Sequence, residues 1–245
     1  MLSCKNFGLS GNVLKIIACI SMFIDHAGVI LFPNILELRI IGRIAFPIFA
    51  FMIAEGCKYT KNKLRYFLFV FGLGVMCQTV FYIVERSFML NILFTFSLSI
   101  LIIYALQCLK KALFCEKANI FKLLRFLVVF ICLIVGTYYL CEYVYIDYGF
   151  YGCLAPVFLS LLKKPKGVTN RFWDIIDKSI VHLVLFSIGL ILLYFQYGGI
   201  MIYAFLSLPF LLLYSGKRGK YNLKYLFYIF YPFHFVVLYG IWYLI

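Results

Sequence analysis

Acidic residues are scarce in this sequence: nine Asp and Glu stand against 23 Lys and Arg. Charged residues of both signs make up only 13% of the chain, where a soluble domain carries about 25%. The hydrophobic fraction is 65% and the mean hydropathy is +1.02. A domain of 245 residues cannot hide that much apolar surface from water, so a soluble globular protein is excluded. There is no GxSxG, no P-loop, no GxGxxG and no His pair at metal-ligand spacing. Those absences argue against a soluble-type hydrolase, an NTPase, a dinucleotide enzyme and a metal site. The nine cysteines form no CxxC pair and no His/Cys cluster. Scattered singly, mostly in apolar runs, they read as small packing residues. The formal charge of +14 is no nucleic-acid footprint, because it falls in short clusters between apolar runs. The first apolar run lacks a small-residue cleavage site, so it is expected to stay in the protein.

What is there is a succession of apolar runs. Nine spans are expected, at roughly 13–32, 40–57, 66–84, 89–108, 123–141, 149–162, 179–195, 199–214 and 225–244. In lipid each must be a helix, since an open strand leaves backbone groups unpaired. The expected fold is therefore all-α, a polytopic membrane bundle of one domain over residues 1–245. The loops orient it. With the N-terminus in the cytoplasm, the inside segments hold 20 of the 23 basic residues: Lys5, Lys15 and the clusters within 58–65, 110–125, 163–178 and 217–224. Only Arg39 and Arg86 fall outside, and Arg43 lies within a span. That asymmetry follows the positive-inside rule and predicts a cytoplasmic N-terminus.

The first span carries Asp25 and His26 side by side. An ionisable group in hydrocarbon costs about 2.5–3.5 kcal/mol on insertion scales, which marks it as a functional candidate. A His titrates near neutrality and can act as a general base. Asp25 is expected to hold charge or a proton in the same pocket. Adjacent helical residues diverge by about 100°, so a direct Asp25–imidazole bond is not expected in a straight helix. Lys15 precedes His26 by about three turns, on the same face, about 16 Å away along the axis.

Arg43 sits near the outer end of the second span, where it either snorkels or faces Asp25 or an oxyanion. Pro47 frees the Arg43 carbonyl and bends that helix. Glu55, near the inner end, is either a site residue or an interfacial ion pair. His234 lies mid-span in YPFHF behind Pro232; it is a site residue or a satisfied core histidine. Asn91 and Thr95 share a face of the fourth span as pocket lining or as helix–helix hydrogen bonds.

At these residues the sequence resembles the TraX family. The resemblance is carried by LKIIACISMFIDHAG (14–28), IGRIAFPIFAFMIAEGCKYTKN (41–62), LNILFTFSLSI (90–100), DYGFYG (147–152) and FYIFYPFHFVVL (227–238). It implies a bacterial inner-membrane protein that acetylates the N-terminal amine of a pilin and is akin to transmembrane acyltransferases. Those enzymes often carry Arg-x10-His in their first span; here the match is Lys15-x10-His26. The family thus implies acetyl-CoA as acyl donor, no metal, and a peptide, pilin or glycan as acceptor. That match carries over His26 as catalytic; the residues themselves add Asp25 beside it, with Arg43, Lys15, Glu55, Asn91, His234 and Tyr231 as candidates around the substrates. Two other readings stay open from the residues alone: a proton-coupled transporter, and a non-catalytic partner in envelope or pilus assembly.

Overall fold

The computed structural model describes residues 8–86, 88–114, 119–165, 171–221 and 223–245. Of the basic residues used for orientation, Lys5, Lys117 and Lys166 lie outside this set. The described residues are almost all helical and form no strand. Helix is the one open-ended structure that satisfies every backbone group within its own segment, as hydrocarbon requires.

Among the described residues seven helices are long and apolar enough to cross a membrane. They are α1 (Gly11–Ile30), the pair α2 (Leu36–Gly42) and α3 (Ala45–Tyr59) taken together, α4 (Lys63–Glu85), α5 (Ile92–Phe114), α6 (Ile120–Tyr143), α9 (Ser179–Tyr197) and α11 (Lys224–Leu244). The chain is a polytopic helical membrane bundle. Two of the nine expected spans are shorter than a full crossing. The sixth is α7 (Gly149–Ser160), 12 residues long. The eighth is a 3-10 helix (Gly199–Ser207) running into α10 (Leu208–Leu212). A short α8 (Arg171–Ile176) precedes α9.

The chain divides into two compact units, Met1–Met52 with Tyr194–Ile245, and Ile53–Leu193. In the second unit α5 is the hub, packing against α4, α6 and α7. Polar groups stitch it to the α7 chain: Ser99 Oγ donates to the Cys153 carbonyl at 2.7 Å, and the Thr95 hydroxyl donates to the Asp147 carbonyl. Such intramembrane hydrogen bonds contribute about 0.6 kcal/mol each. Lys110 Nζ donates to the carbonyls of Ser160 (2.6 Å) and Lys163 (3.1 Å), capping the end of α7. A cation there also meets the negative end of the helix dipole. Only Thr137 is buried on α6, and most of its Leu, Ile and Val side chains are exposed, as a lipid-lining helix requires.

In the first unit α1 packs on α2 and on α11. The loop before α11 closes the start of α1. Gly11 N–H donates to the Lys217 carbonyl (2.8 Å), and Asn12 N–H to that of Arg218 (2.9 Å). Helix N-termini leave four such N–H groups without an internal partner, and here a loop supplies the acceptors. The Asn12 side chain donates to the Tyr221 carbonyl at 2.6 Å. Gly219, at φ +107°, lets this loop approach, because a Cβ there would stand 2.9 Å from both Asn12 Nδ2 and Ser10 Oγ.

Candidate functional site

The site is built where α1 meets the break between α2 and α3. Pro47 has no N–H to give the Arg43 carbonyl, so the helical hydrogen-bond ladder is interrupted at this point. Instead α2 tightens into 3-10 turns, Arg43 N–H to the Ile40 carbonyl and Ile44 N–H to that of Ile41, and α3 restarts at Ala45. Arg43 therefore stands at a break, 7% exposed.

From there it faces Asp25. Its Nη2 lies 2.7 and 2.8 Å from the two carboxylate oxygens, and its Nε donates to the Arg39 carbonyl at 3.2 Å. Arg39, one turn earlier on α2, adds a second guanidinium: Nη1 is 2.9 Å from Asp25 Oδ2 and 3.3 Å from the Asp25 carbonyl. Two fixed cations thus share one carboxylate, leaving a net charge of +1 beside α1. Of the two readings open for Arg43, the structure takes the Asp25 pairing. Arg39, which the sequence places in a loop, was missed; its spacing of four from Arg43 was the available signal.

This contact depends on glycine. A methyl on Gly42 would overlap the Asp25 carboxylate, and one on Gly28 would stand 2.8 Å from Leu38 Cβ. Gly42→Ala is expected to cost about 1–3 kcal/mol, as for overpacking of a filled core. Unfolding in lipid nanodiscs measures it, and an unchanged midpoint would mean that the helices do not meet this closely.

The next residue turns away from Asp25 by about 100° and reaches α11 instead. His26 Nδ1 lies 3.0 Å from His234 Nε2. Phe235 covers the same imidazole, with ring centroids 4.5 Å apart. His26 is half-buried, whereas His234 is 1% exposed. Around His234 stand Phe230, stacked at 5.3 Å, Tyr231 edge-on at 5.7 Å, and Phe235 at 4.1 Å. An imidazole pair in an apolar cage can exchange or hold a proton, and a half-buried ring can present one nitrogen to a substrate.

The other residues singled out from the sequence fall in two places. Lys15 belongs to this unit; its ammonium lies 5.4 Å from the Phe227 ring centroid on α11. Lys15 and His26 on α1 thus meet Phe227 and His234 on α11 in the same order, so the two helices run parallel. Parallel first and last spans require an odd number of crossings. Glu55 and Asn91 belong to the second unit, where each has partners of its own. Glu55 Oε1 is 2.5 Å from Lys163 Nζ. Burial pulls the Lys163 pKa below the ordinary lysine value, and Glu55 opposes that shift. Asn91 Nδ2 donates to the Gly74 carbonyl (2.9 Å) and to Gln78 Oε1 (3.1 Å), while its Oδ1 accepts from Leu93 N–H (3.0 Å). Its neighbour Thr95 is likewise bound to backbone. Among the described residues no group of three or more His, Cys, Asp or Glu is gathered as metal ligands are.

The TraX protein family profile matches residues 10–242, from the cap of α1 to the last turn of α11. The chain belongs to the TraX family. Both halves of the imidazole pair and the Asp25–Arg39–Arg43 cluster lie inside the TraX match. One relative, the Probable fimbrial assembly protein FimC, serogroup H1, of Dichelobacter nodosus, is 24% identical over 261 aligned positions, covering 96% of each chain. Another, the Uncharacterized protein RP591 of Rickettsia prowazekii (strain Madrid E), is 38% identical over 94 residues, which is 38% of this chain and 36% of that protein. No solved structure matches.

Proposed function

We propose that this TraX-family protein is an integral acetyltransferase of the bacterial inner membrane, moving an acetyl group from acetyl-CoA to an amine or hydroxyl of a peptide, pilin or glycan. The observation that carries the reading is the half-buried His26 imidazole, held inside a membrane helix by a second imidazole rather than by Asp25. A packing role for a polar pair in lipid needs no partly exposed ring; proton transfer does.

The acceptor N–H gives its proton to His26 as its nitrogen attacks the thioester carbonyl carbon. The C–N bond forms, and the carbonyl electrons move to oxygen. The net positive charge of Arg39, Arg43 and Asp25 favours that oxyanion, and Arg39, with 29% of its side chain exposed, has the reach that Arg43 lacks. Collapse breaks the C–S bond. The imidazolium returns its proton to the departing thiolate, and coenzyme A leaves as the thiol. Lys15, on the His26 face toward the basic side, is placed to meet an anionic donor arriving from the cytoplasm.

Mass spectrometry of surface peptides and glycans, in cells with and without the gene, tests this reading. Loss of an acetyl group from a defined amine or hydroxyl is the expected result; identical acetylation in both strains would oppose it. The relationship to a probable fimbrial assembly protein over nearly the whole chain favours a second reading, a non-catalytic partner in pilus assembly. That reading expects His26→Ala cells to assemble pili as the wild type does.

A further inference from the structure

We infer that His234 is a positioning residue whose hydrogen-bond chain decides which nitrogen of His26 is basic. His234 Nδ1 lies 3.1 Å from the carbonyl oxygen of Phe230, one turn earlier on α11. A carbonyl oxygen only accepts, so Nδ1 carries the hydrogen and donates. A neutral imidazole has one N–H, which makes His234 Nε2 a lone pair. That lone pair faces His26 Nδ1 at 3.0 Å. Two lone pairs repel at this distance, so His26 Nδ1 carries a hydrogen and donates it. Neutral His26 then has its lone pair on Nε2, the nitrogen pointing away from α11's histidine.

The reverse arrangement requires a doubly protonated His234 that donates from both nitrogens. Its surroundings oppose a cation. Phe230, Tyr231 and Phe235 form the cage, and the residue is 1% exposed. Asp25 is committed to Arg39 and Arg43, both of which also bear on His26 with positive charge. Stacking on Phe230, with 9° between the planes, holds the His234 ring in the orientation the chain needs. With both nitrogens engaged, His234 has none left for a substrate.

That Nε2 serves as the base rests on the acetyltransferase reading; the tautomer itself does not. Nitrogen-15 NMR of the full-length, histidine-labelled protein in nanodiscs reads the tautomer directly. His26 is expected as Nδ1–H with a bare Nε2. His234→Leu removes the imidazole acceptor and leaves His26 only the Met22 carbonyl of its own helix, so the Nε2–H tautomer should gain population and transfer should fall about 10- to 100-fold, as for loss of the group that orients an active imidazole. His234→Gln, whose side-chain oxygen can accept the same hydrogen, should keep the wild-type tautomer and most of the rate. A wild-type His26 already in the Nε2–H form overturns the inference, as does a His234→Leu variant with unchanged tautomer and rate. If the tautomers are as expected but no variant transfers acetyl, the positioning stands and the acetyltransferase reading falls.

Discussion

His26→Ala is expected to lower acetyl transfer about 10²–10⁴-fold, the range a positioned proton acceptor contributes. The loss should appear in kcat rather than KM, since the ring acts on the proton as the new bond forms. Folding should survive. The substitution removes the hydrogen bonds to His234 and to the Met22 backbone, each worth about 1 kcal/mol, and one half-buried ring, while the remaining contacts of α1 with α2 and α11 are untouched. Purified variant and wild type, compared by initial rate with labelled acetyl-CoA and by unfolding midpoint, separate the two effects. A rate within a factor of two of wild type would remove the proposed base.

The second large effect is on stability. Arg43→Met is expected to cost about 1.5–3 kcal/mol, because it removes the Nη2 contacts to both oxygens of a buried carboxylate that keeps only the more exposed Arg39. Arg39→Met should cost below about 1 kcal/mol, since that guanidinium is about a third exposed and its attraction is screened. Pairing Asp25→Leu with Arg43→Met should recover most of the loss, as replacing both members of a buried pair by apolar groups is often neutral. Thermal unfolding in nanodiscs of the wild type, Arg43→Met, Asp25→Leu and the double variant gives the coupling energy, with Arg39→Met compared alongside. Equal, small effects of the two arginine substitutions would mean that Asp25 is solvated in place and that the cluster does not anchor α1 to α2.

Much of this was legible before any coordinates. The apolar runs located the helices because hydrocarbon leaves no alternative structure. Asp25, His26 and His234 stood out because ionisable groups are expensive there. The partners were less legible. Segment 33–39 read as a loop around Glu37 and Arg39, yet residues from Leu36 on are helical and fold back on α1, carrying Arg39 to Asp25. The break that makes this possible is set by Pro47 four residues downstream, and its consequence for a side chain across the helix pair has no local signature. Lys110 read as part of a basic loop. It lies on α5 and is 9% exposed, with its ammonium in the end of α7. A lysine near a helix end looks the same in sequence whether it reaches headgroups or a neighbour's carbonyls. Gly198 and Gly199, both at positive φ, announce a turn, but nothing after them distinguishes a 3-10 helix from an α-helix.

The central claim is that a proton-accepting ring in α1 serves acyl transfer. Its most direct test is stoichiometry in proteoliposomes of the purified wild-type protein, supplied with labelled acetyl-CoA and an amine-bearing peptide. One coenzyme A thiol is expected for each acetyl group gained by the peptide, with both lost in His26→Ala. Peptide that crosses the membrane unacetylated, with no thiol released, would contradict it.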